Sequence, residues 1–391
     1  MNDDFLLLNP GPVPLEQSVL DAMAEPMVSH RSTSFGEDYA QASDGVRYIF
    51  ETSSRDGSPT ASGGTPLLMM GTATLGMEAA VANLVNESST VVTLENGKFG
   101  RRFRRIAEKY ATVRPVTAEW GDSISMDDVA EAMTDDVDLV AMVHNETSTG
   151  LINPVAEVGE LAAEHDAYFV VDGVTSIGGD AFYIDEWGVD IAITDAQKAL
   201  ASPPGISALY VAEGVEAALD ATGAPFYADL PRHVQKAADE QTPFTSAVPL
   251  VRGMAVAVSG IQEEGMPDRI ARHRRQARAF RAGFDAIGLS LFPTIDGPSA
   301  VSHTVTAIEL PDVVAENPST FFDAVASRNV SISGGQAHLG GEIFRVSNMG
   351  NLADSDIIRG VETIAKSMEL AGYQADTEAA VAAAAEAVAQ D

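Results

Sequence analysis

The sequence predicts an α/β fold: a mostly parallel sheet covered by helices on both faces, followed by a smaller α+β domain. Three observations predict it. Between about residues 67 and 211, short apolar runs alternate with helix-like stretches, as strands joined by helical crossovers do. Those runs lack the period-two polarity of a half-exposed sheet, which suits strands buried on both faces. The 391-residue chain is 45% hydrophobic with a mean hydropathy of +0.02, enough apolar material for a full core.

Taken in order, residues 1–25 form an N-terminal arm. Asn9-Pro10-Gly11-Pro12-Val13-Pro14 cannot be helical, because each proline fixes its own φ and restricts its predecessor. A short helix over 15–25 then stops at Pro26. A large domain spans 26–250. It opens with an amphipathic helix over 37–52 and a Gly/Ser/Pro-rich stretch, 53–65, that reads as a mobile surface loop. Strands are predicted at 66–71, 91–97, 112–118, 138–144, 167–171, 191–194 and 205–211, with helices over 74–86, 99–109, 127–133 and 154–165. A small domain, 251–375, begins within a strongly helical stretch over 248–282, with strands at 301–310, 330–333 and 343–347 and helices at 319–328 and 354–370. Residues 376–391 are an Ala-rich acidic tail, read as a terminal helix or a frayed end.

The charge is extreme. Asp and Glu number 57 against 24 Lys and Arg, for a net charge of −33, and only five of the 24 are lysines. Such a surface repels nucleic-acid phosphates and anionic membranes, so neither is an expected partner. The absence of cysteine excludes disulfides, a thiolate nucleophile and Cys-ligated metals, and the scattered histidines support no metal site. No run is long enough to span a membrane and the first residues lack a basic leader, so a soluble cytoplasmic protein is expected. Acids spread along the whole length, with lysine scarce throughout, predict adaptation to a salt-rich, halophilic cytoplasm. The arginines between 269 and 281 are read as a solvated face or a helix-pairing surface, because Glu263, Glu264 and Asp268 lie beside them.

Three clues carry chemistry. Asp172 ends the run Val170-Val171-Asp172-Gly173, at the strand end where open sheets bind ligands. Lys198 follows another strand and precedes Pro203-Pro204-Gly205; a lysine there suits imine chemistry, since desolvation favours the neutral amine. Gly71-Thr72-Ala73-Thr74 precedes a helix, where backbone N–H groups can hold a phosphate. Together they point to pyridoxal 5'-phosphate: a lysine for its aldehyde, an acid for its ring nitrogen, a phosphate cradle, and Phe99 as a stacking platform.

The sequence also resembles the class V branch of fold-type-I pyridoxal-phosphate enzymes, within it the alanine–glyoxylate / serine–pyruvate aminotransferase family, over roughly residues 6–370. The resemblance rests on Asn9–Pro14, His30-Arg31, Gly71–Ala80, Gly97–Arg101, His144-Asn-Glu-Thr-Ser-Thr-Gly150, Val171–Gly179, Gln197-Lys-Ala-Leu-Ala-Ser-Pro-Pro-Gly205 and Phe344–Gly350. It implies a seven-stranded sheet in the large domain and a homodimer with the active site at the interface. It implies Lys198 as the cofactor lysine and proton shuttle, Asp172 as the pyridine-nitrogen acid and Val174 beneath the ring. Phe99 corresponds to the stacking aromatic and Thr147 to the hydroxyl near the cofactor O3'. Thr72, Ala73 and Thr74, with Gln197, form the phosphate site, and Thr242 is a phosphate contact donated to the neighbouring subunit. Arg345 is the clamp for the substrate carboxylate, and Asn9 and Gly11 line the substrate pocket.

Two departures stand out. Gly71-Thr-Ala-Thr74 replaces the frequent Gly-Ser-Gly-Thr, and Asp239 falls where some members have a phosphate-binding tyrosine. The expected reaction is transamination between a small amino acid, alanine or serine, and a 2-oxo acid, glyoxylate or pyruvate. Aspartate, ureidoglycine or phosphoserine as donor is the alternative, as is a non-catalytic protein that keeps the fold. Cysteine desulfuration is disfavoured because it uses a mobile cysteine.

Overall fold

The computed structural model describes residues 5–390, so the first four residues of the predicted arm and the last of the tail lie outside the described residues. A seven-stranded sheet organises the first two-thirds of the chain. Its strands run, across the sheet, Thr65–Met70, Ile206–Val211, Ile191–Asp195, Tyr168–Asp172, Leu139–Val143, Thr90–Glu95 and Thr112–Thr117. All neighbours are parallel except Ile206–Val211, which is antiparallel to both strands flanking it. The reason lies in its connection. Residues 196–205 hold no helix, and so short a link cannot make the crossover of about a dozen residues that a parallel pair needs.

Both faces of the sheet are apolar, as the missing polarity period implied. Val140, Met142, Phe169 and Val171 point into one core layer, with Phe35, Ile49 and Phe50 of helix Thr33–Thr52. Their chain neighbours Leu139, Ala141, Val143 and Val170 point into the other, with Met77 and Phe103 from helices Ala73–Ala82 and Lys98–Ala107. A third core, built on Phe280, Phe284, Phe321 and Phe344, lies under the three-stranded antiparallel sheet Val305–Glu309, Ile343–Ser347 and Ser333–Gly334.

Several elements differ from the sequence reading. The helix expected from 37 begins at Thr33, because the Ser32 hydroxyl caps it by accepting from Phe35 N–H. The strongly helical stretch expected over 248–282 is there as two helices, Val248–Glu264 and Met266–Asp285, separated at Gly265 with φ +82°. Helix Leu230–Ala237, capped by Asp229, was missed. The 53–65 stretch is not a free loop. Ser53, Ser54, Thr60 and Ala61 are buried, the Thr60 hydroxyl donates to Phe50 O at 2.8 Å, and Phe182 N–H donates to Ser53 O at 2.8 Å. Its small polar residues serve as internal hydrogen-bonding pins.

The C-terminal segment is a helix, Thr377–Ala389, capped by Asp376 and packed through Ala380 and Ala384 into the third core. The arginine-rich helix is a clamp facing inward. Arg269 and Arg272 both pair with Glu264, Arg274 with Asp180 and Arg275 with Asp354. Among the described residues no helix is long and apolar enough to cross a membrane.

Candidate active site

The carboxyl ends of strands 168–172 and 191–195 open onto a cavity of about 300 Å³. Lining it are Thr72, Ala73, Thr74, Phe99, Thr147, Asp172, Val174, Gln197 and Lys198, all expected from the sequence, together with Arg102 and Asp195. The gathering follows from the topology: parallel strands deliver their following loops to one edge, where ligands of open sheets bind.

Lys198 is held by the backbone of the N-terminal arm. Its Nζ donates to Pro10 O of the N-terminal arm. Gly11 lies against the side chain so closely that a Cβ there would fall 2.5 Å from Lys198 Cδ, and its φ of +82° is one glycine tolerates. Burial pushes the Lys198 ammonium down to about 8, against the opposing pull of Asp195 and Asp172. Asp172 is buried, and burial pushes its carboxyl up to about 7; the Val174 N–H, donating to Oδ1 at 2.8 Å, works the other way.

Phe99 is placed by its helix, Lys98–Ala107. Gly100 lets that helix lie on the sheet, since a Cβ there would fall 2.5 Å from Leu94 O. The helix N-terminus is capped by the buried Glu146 carboxylate, which accepts from Phe99 and Gly100 N–H, both at 3.0 Å. Arg102, one turn on, stacks 4.7 Å over the Phe99 ring and donates to the Thr74 hydroxyl at 2.9 Å. The Thr147 hydroxyl meets that of Thr175 at 3.0 Å.

Four expected residues stand apart from the cavity lining: Gly11, set against the Lys198 side chain, and Arg345, Asn9 and Thr242. Arg345 is buried behind Thr147, donating to Thr147 O at 2.9 Å and, through Nε and Nη2, to Gly334 O. Burial lowers its guanidinium to about 10. These bonds leave two of its five N–H groups for a ligand. Asn9 donates to the Ser333 hydroxyl at 2.8 Å while its Oδ1 is buried without a partner. Thr242 lies away from this chain's cavity. Its hydroxyl meets Ser246 and donates to Phe244 O, and its carbonyl accepts from Arg31.

Sequence reasoning missed Asp195, Arg102 and Glu146. The first two carried a readable signal: Asp195 ends a buried strand as Asp172 does, and Arg102 stands three residues after Phe99, on the same helix face. Glu146 carried none, because its partners are N–H groups of a distant helix.

The aminotransferase class-V family matches residues 6–344. The chain belongs to that family. An uncharacterized aminotransferase of Methanocaldococcus jannaschii is 33% identical over 94% of both chains. The L-aspartate–glyoxylate aminotransferase of Paracoccus denitrificans is 31% identical over 96% of this chain and 94% of its own. The crystal structure of pyridoxamine-pyruvate aminotransferase from Mesorhizobium loti superposes with a TM-score of 0.90 at 27% identity, covering 99% of this chain and 97% of the other. The class-V fold is the fold-type-I transferase fold, and the protein is a pyridoxal-phosphate-dependent aminotransferase.

The residues present fit that cofactor. A half-buried amine and a buried carboxyl face one cavity, an aromatic ring forms its wall, and helix Ala73–Ala82 points its N-terminus there with no side-chain cap from Thr72.

Proposed function

We propose that this class-V aminotransferase exchanges amino groups between a small monocarboxylic amino acid, alanine or serine, and a 2-oxo acid, glyoxylate or pyruvate. The observation that carries the reading is the half-buried Lys198 amine sharing one small cavity with Asp172. The donor is read as small and monocarboxylic. The cations near the cavity support that choice. Arg102 is bound to Thr74 at the cradle end and Arg345 stands behind Thr147, so one guanidinium is placed for one substrate carboxylate. The Paracoccus relative, named for glyoxylate, supports that acceptor.

When bound, pyridoxal phosphate supplies an electron sink for the pair released from the substrate Cα–H bond. The chain does the rest. Lys198 Nζ, its basicity brought near neutrality by burial, takes the proton from Cα and returns it at the acceptor carbon. Asp172 holds the proton on the ring nitrogen, Val174 and Phe99 confine the ring, and Thr147 orients it. Thr72, Ala73, Thr74 and Gln197 hold the phosphate. Arg345 orients the carboxylate, and Asn9 with Gly11 closes the arm over the substrate.

The reading includes a homodimer in which Thr242 completes the partner's phosphate site. In support, Phe226 is 72% exposed and Phe244 packs against both it and Tyr227, an aromatic patch beside Thr242, and Met27 is 69% exposed. It also includes a salt-rich cytoplasm, supported by the net charge of −33.

The test is spectroscopic. Purified in high salt, the protein should carry the absorbance of lysine-bound cofactor, and Lys198→Ala should abolish it. Alanine and serine should convert the cofactor faster than aspartate does. An absorbance unchanged by Lys198→Ala would sink the lysine assignment, and faster conversion by aspartate would sink the donor. Dimer and activity should both fall as salt is removed; indifference of either to salt would refute the salt-rich setting.

A further inference from the structure

The phosphate end of the cavity holds a group for which the aminotransferase reading has no use. Asp195 ends strand Ile191–Asp195, three residues before Lys198, and is buried at 3% exposure. Its Oδ2 accepts from Ala73 N–H at 3.0 Å and from Gln197 Nε2 at 2.6 Å. Its Oδ1 is buried with no hydrogen-bond partner, and so is Gln197 Oε1. Ala73 N–H and the Gln197 amide are donors that the phosphate cradle requires. A carboxylate already takes the Ala73 N–H and one of the two N–H groups of the Gln197 amide.

The surroundings do not neutralise this acid fully. Lys198 pulls on it from its own loop, but Asp172 on the neighbouring strand is a like charge, and Arg102 on helix Lys98–Ala107 is engaged with Thr74. Burial raises the Asp195 carboxyl, and the Ala73 N–H opposes that rise. An arriving phosphate is a second anion seeking the same N–H groups, and two anions sharing a buried site repel.

We propose that Asp195 is a built-in competitor for the phosphate cradle: its carboxylate holds the Ala73 N–H and the Gln197 amide, yields them when a phosphoryl group binds, and so loosens the hold on pyridoxal phosphate relative to a neutral residue. The proposal rests on the reading that this cavity takes the cofactor with its phosphate at Ala73. Its consequence is an enzyme whose cofactor exchanges readily, since the closed cradle has an internal ligand to fall back on.

The experiment compares the full-length protein with Asp195→Asn and Asp195→Ser, the second guarding against a folding defect in the first. The equilibrium dissociation constant is measured by ultrafiltration for pyridoxal phosphate and for pyridoxal, which lacks the phosphate. Both variants should bind pyridoxal phosphate about tenfold more tightly, since a neutral residue removes a like charge from the cradle. Their affinity for pyridoxal should change several-fold less than that for pyridoxal phosphate, because loss of the Asp195 pull on Lys198 acts on both ligands alike while loss of the cradle competitor acts on the phosphorylated one alone. Unchanged or weaker binding of pyridoxal phosphate in the folded variants overturns the proposal, as does equal tightening for pyridoxal. If the wild-type protein itself takes up no pyridoxal phosphate, the failure belongs to the cofactor reading, and the proposal falls with it.

Discussion

Replacing Arg269 by Met tests how the lysine loop is supported. The Arg269 side chain is 1% exposed and makes four hydrogen bonds: Nε to Gly178 O at 2.7 Å, Nη2 to Ala199 O at 2.6 Å, and Nη1 to Glu264 at 2.7 Å and Asn351 at 2.9 Å. Ala199 follows Lys198 directly, so the guanidinium anchors the backbone that carries the amine. Methionine fills comparable length and removes every donor. Two backbone carbonyls are then left unpaired, at about 1–3 kcal/mol each. Glu264 keeps Arg272 at 2.6 Å, so its charge is not stranded. The desolvation cost of the arginine, which holds its guanidinium down to about 10, is recovered and offsets part of the loss. The balance is a loss of about 3 kcal/mol. Urea unfolding at fixed protein concentration should show it as a lower midpoint with unchanged slope. Cofactor uptake should slow as well, because the loop under Lys198 loses its anchor. A midpoint shift worth less than about 1 kcal/mol, the scale of an ordinary surface substitution, would refute the reasoning.

Three further outcomes follow from the same geometry. Asp172→Asn should stabilise the cofactor-free protein above about pH 7, because the buried carboxylate is ionised there against its environment; the gain, on the order of a few kcal/mol, should shrink as pH falls from about 7 through about 4 and vanish below about 3, where folded and unfolded carboxyls are both protonated, and a gain independent of pH would contradict the assignment. Gly11→Ala should cost more than about 1 kcal/mol and impair cofactor uptake, since the new Cβ meets Lys198 and the φ of +82° is strained; a fully active, equally stable variant would rule that out. Glu146→Ala should lose about 2–4 kcal/mol by stranding the N–H groups of Phe99 and Gly100, whereas Glu146→Gln, which keeps an acceptor oxygen, should lose clearly less in the same denaturation series.

Much of the site was legible because its chemistry restricts residue type. An amine for imine chemistry has to be lysine, and with only five in the chain, Lys198 at a strand end was conspicuous. The strand-end rule that found Asp172 applied equally to Asp195, which was passed over because it has no part in the expected chemistry. Arg345 was found as a cation, but not its bonding to the carbonyls of Thr147 and Gly334, since both partners are remote in sequence and any residue type supplies a carbonyl. The 53–65 stretch shows the same limit: serine and threonine look like solvated loop residues until their hydroxyls are seen bonded to buried carbonyls.

The sequence by itself determined the alternation of strands and helices, the double burial of the sheet and the set of residues that carry the chemistry, because apolar periodicity, proline stereochemistry and side-chain reactivity are local properties. Tertiary structure alone decided which groups meet. It closed the N-terminal arm over Lys198 through Pro10 and Gly11, turned Arg269 of helix Met266–Asp285 inward onto the carbonyls of Gly178 and Ala199, and set the Asp195 carboxylate on the N–H of Ala73. Those pairings join segments tens to hundreds of residues apart, and they arise only when the packed core brings hydrogen-bonding groups together away from water, where each must find a partner.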